Sequence, residues 1–242
     1  MIVLFTDFGL AGPYTGQMKA ALARDAAGVP VIDLFADAPS RDPRAASYLL
    51  AAYAAWFPAG TVFLAVVDPG VGGARAALAA LIDGRWFVGP DNGLFEIALR
   101  RAAAAQVWEI AWRPETLSAS FHGRDLFAPV AALIARGEAP SWTRRDAASA
   151  RRPLWPDDLA AIVYVDHYGN AITGLRASVL PAGARLQTGG RAIPRARTFS
   201  DAAPGEALWY ENANGLAEIA VNLGHADAAL GLAVGSPVTV AA

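Results

Sequence analysis

The sequence predicts an α/β protein: an N-terminal domain on a mostly parallel sheet with flanking helices, then a smaller all-β barrel domain. Three observations carry this. Strand-like and helical segments alternate as far as Arg136, the pattern of a parallel sheet covered by helices. Apolar periodicity lapses across Ala139–Asp158, where Pro140, Pro153 and Pro156 occur among Arg144, Arg145, Arg151 and Arg152. Beyond it come short strand-like runs separated by turn signals, with no long helix, which suits a small barrel or sandwich. The expected domains are residues 1–150 and 157–242.

In chain order, Ile2 to Phe5 reads as the first strand and Tyr14 to Arg24 as a helix with Met18, Ala21 and Leu22 at inward spacing. Val31 to Phe35 is the second strand and Ala45 to Trp56 the second helix. Thr61 to Val67, dense in β-branched and aromatic residues, is a buried strand. Ala77 to Ile82 and Trp86 to Val88 flank a tight turn at Asp83-Gly84. Leu94 to Ala103 is a helix with arginines near its C-terminus, the end that favours cations. A strand at Val107–Ala111 and a helix at Phe127–Arg136 complete the first domain. The second has strands at Ala160–Val165, Ala171–Leu175, Ala184–Thr188, Ala207–Tyr210, Ala217–Val221 and Val238–Val240.

Several function classes lose ground on composition. Net charge is −2, which implies no basic face for nucleic acid. Cysteine is absent, which removes disulfides, zinc thiolates and a thiol nucleophile and fits a cytoplasmic protein. The first apolar run meets Asp7 at once, too soon for a signal peptide. From Tyr48 to Val67 there is no charge, a membrane-length stretch, but Phe57-Pro58-Ala59-Gly60 interrupts it, so a buried helix–strand pair explains it better. The three histidines, 122, 167 and 225, lack metal-ligand spacing, and no metal site is expected.

Four polar clusters follow predicted strands: Thr6-Asp7, Asp68 to Arg75, Asp91-Asn92 and His122 to Asp125. Ligands of open α/β sheets bind outside the carboxyl ends of strands, so the four suggest one crevice. Pro69 holds Asp68 extended at its strand end, and Gly70, Gly72 and Gly73 let the chain fold back to bring Arg75 toward it. A structural ion pair bracing a turn is the competing reading of that stretch. Beside such a pair, His122 is the natural proton acceptor, because imidazole titrates near neutrality.

Together these clusters resemble the S-adenosylmethionine (SAM) hydroxide adenosyltransferase family, the hydrolase branch of the superfamily containing the SAM-dependent fluorinase and chlorinase. The matching pieces are Thr6-Asp7-Phe8-Gly9 with Tyr14 to Lys19, Asp68 to Gly72 with Arg75, Pro90 to Leu94, Phe121 to Asp125, Asp166 to Asn170, and Gly215 to Asn222. The resemblance implies an α/β domain, a β-barrel and a homotrimer with SAM held between subunits. It implies water attack at C5′ of SAM, giving adenosine and L-methionine, with no cofactor. The family's water-activating triad falls on Asp68, Arg75 and His122. Substrate contacts fall on Asp7, Phe8, Asn92, Asp166, Tyr168, Asn170, Asn212, Ala213, Asn214 and Val221. Ala213 stands where relatives often carry serine, and Val221 where some halogenating relatives carry arginine. A carboxylate at Asp68 repels a halide, so hydrolysis is favoured over halogenation. A SAM-dependent halogenase and a non-catalytic nucleoside- or SAM-binding protein are the alternatives.

Overall fold

The computed structural model describes residues 1–241, in two compact units, Met1–Leu154 and Trp155–Ala242. The first contains β1 (Ile2–Thr6), α1 (Tyr14–Asp25), β2 (Val31–Phe35), α2 (Pro43–Ala54), β3 (Val62–Val66), β4 (Ala77–Ile82), β5 (Arg85–Pro90), α3 (Glu96–Arg101), β6 (Ala105–Ile110), a π-helical turn (Gly123–Phe127) running into α4 (Ala128–Ala135), and β7 (Trp142–Arg145). The seven strands form one sheet in the order β2-β1-β3-β5-β4-β6-β7. β2, β1, β3 and β5 pair in parallel; β4 lies antiparallel between β5 and β6, and β7 antiparallel on β6. All but β4 and β7 therefore run one way.

β4 reverses because Asp83 and Gly84 both take positive φ, 45° and 79°, the left-handed pair of a two-residue hairpin turn. The consequence bears on function. The C-terminal ends of β1, β3 and β5 reach one edge of the sheet, and β4 starts there, so the β3–β4 connection turns back at that edge.

β3 is buried along its whole length because helices cover both faces. Leu4, Val62, Leu64 and Val66 pack with Met18 and Leu22 of α1 and with Val130 of α4. Phe5, Phe63 and Phe87 turn the other way, where Phe63 stacks on Phe87 at 4.9 Å and Phe5 meets Phe35 at 5.2 Å. α2 begins at Pro43 with Asp42 as its cap, the side chain accepting from Ala45 N at 2.9 Å. The uncharged run from Tyr48 thus divides into α2 and β3, and among the described residues no helix is long and apolar enough to cross a membrane.

The second unit contains β8 (Leu159–Val165), β9 (Ala171–Arg176), β10 (Arg185–Thr188), β11 (Arg191–Ile193), β12 (Ala207–Glu211), β13 (Leu216–Val221), α5 (Ala226–Leu230) and β14 (Thr239–Ala241). Two antiparallel sheets form, β11-β10-β14 and β12-β13-β9-β8. Both seams between them are bridged. Ala161 pairs with Pro237 beside β14, and Arg195, just past β11, pairs with Trp209 of β12. The strands so close into a ring around Trp209, fully buried and donating Nε1–H to Ala184 O at 2.9 Å.

Two strands escape the sequence reading. β7 lies in the stretch expected to be boundary, and β11 is only three residues long. α3 is shorter than the predicted helix, starting at Glu96.

Candidate active site

Asp68 lies just past the end of β3, and Arg75 just before β4. The connection between them makes two tight turns, Val71 N donating to Asp68 O and Gly73 N to Gly70 O at 3.0 Å. The fold-back brings the guanidinium onto the carboxylate. Arg75 Nε donates to both Asp68 oxygens at 3.0 Å, and Nη2 donates to Oδ2. The pair is sequestered, with side-chain exposures of 11% for Arg75 and 4% for Asp68. Arg75 also lies over the Phe127 ring, 5.2 Å from its centroid.

Arg75 Nη2 also reaches His122 Nδ1, at 3.0 Å. A guanidinium only donates. Nδ1 is therefore the acceptor, and the imidazole is neutral with its proton on Nε2. Burial, then the adjacent Arg75 charge, hold the His122 pKa below the ordinary histidine value; the Asp68 charge opposes them. His122 is placed by the chain entering the π-helical turn, whose Gly123 lets the backbone come within van der Waals reach of the Phe8 ring.

Asp7 follows β1 on the same sheet edge. Its Oδ2 accepts Arg41 N–H at 2.8 Å. Burial raises its pKa, with the neighbouring Asp68 charge adding to the rise. Asp7, Phe8, Asp68 and His122 line one cleft of about 90 Å³, which Arg41 also borders. That volume suits a few solvent molecules. Phe8, Tyr14 and Phe121 form an edge-on aromatic group beside it. Leu10, Tyr14 and Val71 leave apolar surface exposed in the same two loops and helix start.

The Asp91-Asn92 cluster does not open on this cleft. Asn92 Nδ2 donates to Val67 O at 2.8 Å and its Oδ1 accepts Leu94 N–H at 3.2 Å. It braces the residue immediately before Asp68. Asp91 is drawn away by Arg145 Nη1 at 3.0 Å and Arg152 Nη2 at 2.9 Å. Neither arginine was a foreseeable partner, since both come from the proline-arginine stretch.

The second unit carries its own cavity, of about 790 Å³, lined by Asp166, Tyr168, Asn170, Phe199, Tyr210, Glu218 and Val221 among others. Asp166 shapes its entrance: Oδ1 accepts Tyr168 N at 2.9 Å and Asn170 N at 2.8 Å, and Oδ2 accepts Asn170 Nδ2 at 3.1 Å. Tyr168 and Leu223 are exposed at the rim, at 71% and 87%. Asn212, Ala213 and Asn214 form the turn between β12 and β13 and are not part of this lining.

Sequence reasoning missed Glu218 and Phe199. Glu218 was detectable as the single charge in the otherwise apolar strand Leu216–Val221. It is 5% exposed, and burial pushes its pKa up, with Asp166 adding to the rise. Among the described residues no group of three or more His, Asp and Glu side chains is placed to hold a metal ion.

Comparison with known proteins points the same way for both units. Residues 2–143 match the SAM hydroxide adenosyltransferase N-terminal domain, and residues 160–239 the SAM hydroxide adenosyltransferase C-terminal domain. A Thermus thermophilus protein named (R)-S-adenosyl-L-methionine hydrolase is 42% identical over 98% of each chain. A Salinispora tropica protein of the same name is 37% identical over 98% of this chain and 96% of its own. A crystal structure of a conserved Thermotoga maritima protein covers all of both chains with a TM-score of 0.85 at 29% identity. One from Thermus thermophilus reaches 0.79 at 38% identity over 99% of each chain.

Proposed function

Because the chain belongs to the SAM hydroxide adenosyltransferase family, we propose that it hydrolyses SAM by water attack at C5′, releasing adenosine and L-methionine. The observation that carries this reading is the contiguous Asp68–Arg75–His122 cluster at the cleft. A protein that only bound a nucleoside has no use for a buried, charge-balanced group of this kind.

Sulfonium is already a good leaving group, so catalysis falls on the nucleophile. Water lies against the guanidinium, in line with the C5′–S bond. As the oxygen bonds to C5′, the C5′–S bond breaks and its electron pair stays on sulfur, giving the methionine thioether. The attacking oxygen becomes strongly acidic as that bond forms, so a weak base suffices. Asp68 fits this role, since its Oδ1 accepts only the Arg75 Nε bond and retains lone-pair capacity beyond it. The sequence pointed to His122 as acceptor. Its Nδ1 lone pair is committed to Arg75, so we assign His122 the orienting role, with Nε2–H as a donor. General-base help contributes about 10²–10⁴-fold, and in-line positioning contributes as much as roughly 7–11 kcal/mol.

Asp7 is assigned to the ribose hydroxyls or the methionine ammonium. The aromatic cavity of the second unit, with Tyr168 and Asn170, is assigned to the adenosyl group. The turn at Asn212–Asn214 is assigned to the methionine end. The cleft at the triad is too small for an adenosyl group, and exposed apolar residues border both places. A homotrimer in which one subunit's cleft meets a neighbour's cavity accounts for both facts. The cytoplasm is the assigned compartment. The relatives' names specify the (R) configuration at sulfur, and we propose that epimer as the preferred substrate. Product analysis with each SAM epimer in halide-free buffer, then with added chloride or fluoride, tests the reading. Adenosine and methionine are expected; a 5′-halo-nucleoside, or SAM bound but uncleaved, overturns it.

A further inference from the structure

Arg41 is the one arginine or lysine among the residues lining the catalytic cleft. It is exposed, and among the described residues its guanidinium makes no hydrogen bond or ion pair. An exposed arginine is ordinarily just solvated. The backbone marks this one. Its φ is +58°, a left-handed conformation that glycine or asparagine adopts at less cost. Such strain persists where the surroundings impose it, and here they do. Ala38 N donates to Thr6 O at 3.0 Å and Asp42 N to Pro39 O at 3.2 Å, while the Asp42 side chain accepts Ala45 N–H at the start of α2. Between these anchors Arg41 N–H donates to Asp7 Oδ2 at 2.8 Å. The turn that supplies this bond leaves the Arg41 side chain at the rim, near Asp7 but not paired with it. Burial raises the Asp7 pKa, and the Arg41 charge acts against that rise.

We propose that Arg41 determines specificity at the rim: its guanidinium takes the amino-acid carboxylate of SAM, so the enzyme selects sulfonium nucleosides that carry this group. This rests on the reading of the chain as a SAM hydrolase, and it names a substrate feature which that reading leaves open. The carboxylate is the only anion in SAM; the sulfonium and the ammonium are cations. A guanidinium repels both cations and pairs with the carboxylate, in a fork that can hold both oxygens. Arg75 cannot serve. Its Nε and Nη2 are spent on Asp68 and His122, and the side chain is 11% exposed. Arg41 is uncommitted, so pairing with substrate breaks no bond already made. Asp7 beside it carries the opposite charge, which suits the ammonium. Sulfonium nucleosides without the carboxylate are therefore poor substrates.

The test compares SAM with decarboxylated SAM, which keeps the adenosyl group, sulfonium and ammonium and has hydrogen in place of the carboxylate. Arg41→Gly is the deciding variant, because glycine is at ease at this φ and keeps the N–H that holds Asp7. The parent is expected to prefer SAM about 10- to 100-fold in kcat/KM, the effect of one charge-assisted pair. Arg41→Gly is expected to lose most of that preference, through a raised KM for SAM rather than a lowered kcat, with decarboxylated SAM affected far less. Arg41→Lys, which keeps the charge and loses the fork, is expected to fall between. Tm is the folding control. Equal losses on both substrates overturn the proposal, since they place the role in Asp7 or the fold. So does a parent without preference, or a preference that survives in Arg41→Gly. Should Arg41→Gly not fold, Arg41→Asn, also tolerant of positive φ, is judged on the same criteria, and failure of both to fold overturns the proposal by making the residue structural. If the parent binds SAM without releasing adenosine, the hydrolase reading fails, and the same comparison made on calorimetric Kd still judges Arg41.

Discussion

Arg75 Nη2 and His122 Nδ1 lie 3.0 Å apart although the residues are 47 positions distant in sequence. The donor is a guanidinium, so the bond exists only while the imidazole is neutral. Protonating His122 removes the acceptor lone pair and sets two cations in contact. The His122 pKa is lowered from the ordinary value, so the neutral form persists below it. The stabilisation is complete above the unfolded-state pKa of about 6.5 and is lost as pH falls through the lower folded-state value. The pH profile of kcat should be flat above about 6.5 and fall on an acid limb centred below it. His122→Gln should abolish that limb. A limb centred above the ordinary histidine value contradicts the geometry.

Replacing Asp68 with asparagine keeps the shape and removes the charge that balances Arg75. The amide presents one acceptor where the carboxylate presents two, so the Nε and Nη2 bonds compete. A fall in kcat of about 10²–10⁴-fold is expected, with Kd for SAM changed far less. Single-turnover release of adenosine beside calorimetric binding separates the two. Near-parental turnover would mean that Asp68 is a turn brace only.

The loops that carry Asp68 and His122 approach each other at Gly72. Its φ is +78°, and a Cβ there would come within 2.4 Å of the Ala119 carbonyl oxygen, three residues before His122. Gly72→Ala must therefore push the His122 loop away or unwind the Asp68 loop. Left-handed strain alone costs about 1–2 kcal/mol, and the clash adds to it. Gly28→Ala is the control, with φ +81° and nothing within 4 Å of the added Cβ. Both variants should lose Tm, and only Gly72→Ala should lose most of its kcat. Equal kcat in the two would show that the contact at Ala119 has no part in placing the imidazole.

What the sequence made legible was what neighbours in the chain decide. The run Thr61–Val67 announces a buried strand, Pro69 and the glycines announce a fold-back, and Arg75 follows at a distance the loop can close. The β3–β4 ion pair thus follows from local chemistry. Asp91 shows where this fails. An acid at the end of β5 looks like one at the end of β3, but its partners Arg145 and Arg152 come from more than 50 residues away. β7 was hidden for the same reason. Trp142-Thr143-Arg144-Arg145 has no strong strand signal, and it is held by Trp142 stacking on Trp108 at 5.1 Å and on Trp86 at 5.5 Å. Barrel closure was expected from strand spacing, yet its seams rest on single bridges at Ala161–Pro237 and Arg195–Trp209, which no local pattern encodes. Nor does any local signal say that Asn92 spends both polar ends on backbone, holding the carbonyl of Val67.

Glu96 shows how strongly the arginine-rich stretch is tied to the first unit. Its side chain has no exposure, so an unpaired charge there would be untenable. It is paired several times over. Arg100 Nη2 donates at 2.6 Å and Arg100 Nε at 2.9 Å. Arg151 Nε reaches both oxygens, at 3.2 and 3.1 Å, and Arg152 N donates at 2.6 Å. Removing a buried partner leaves the remaining cations without a counter-charge, which typically costs about 3–5 kcal/mol. Glu96→Ala should therefore lower the denaturant midpoint by an amount corresponding to that range. Glu138→Gln, which opens the exposed, solvent-screened pair with Arg136, should leave that midpoint nearly unchanged. The Asp91 carboxylate accepts from Arg152 as well, so Glu96→Ala should also loosen the loop that carries Asn92. Its kcat should then fall at temperatures well below the unfolding midpoint. Parental kcat combined with a large stability loss would mean that Asn92 holds Val67 without help from the clamp behind it.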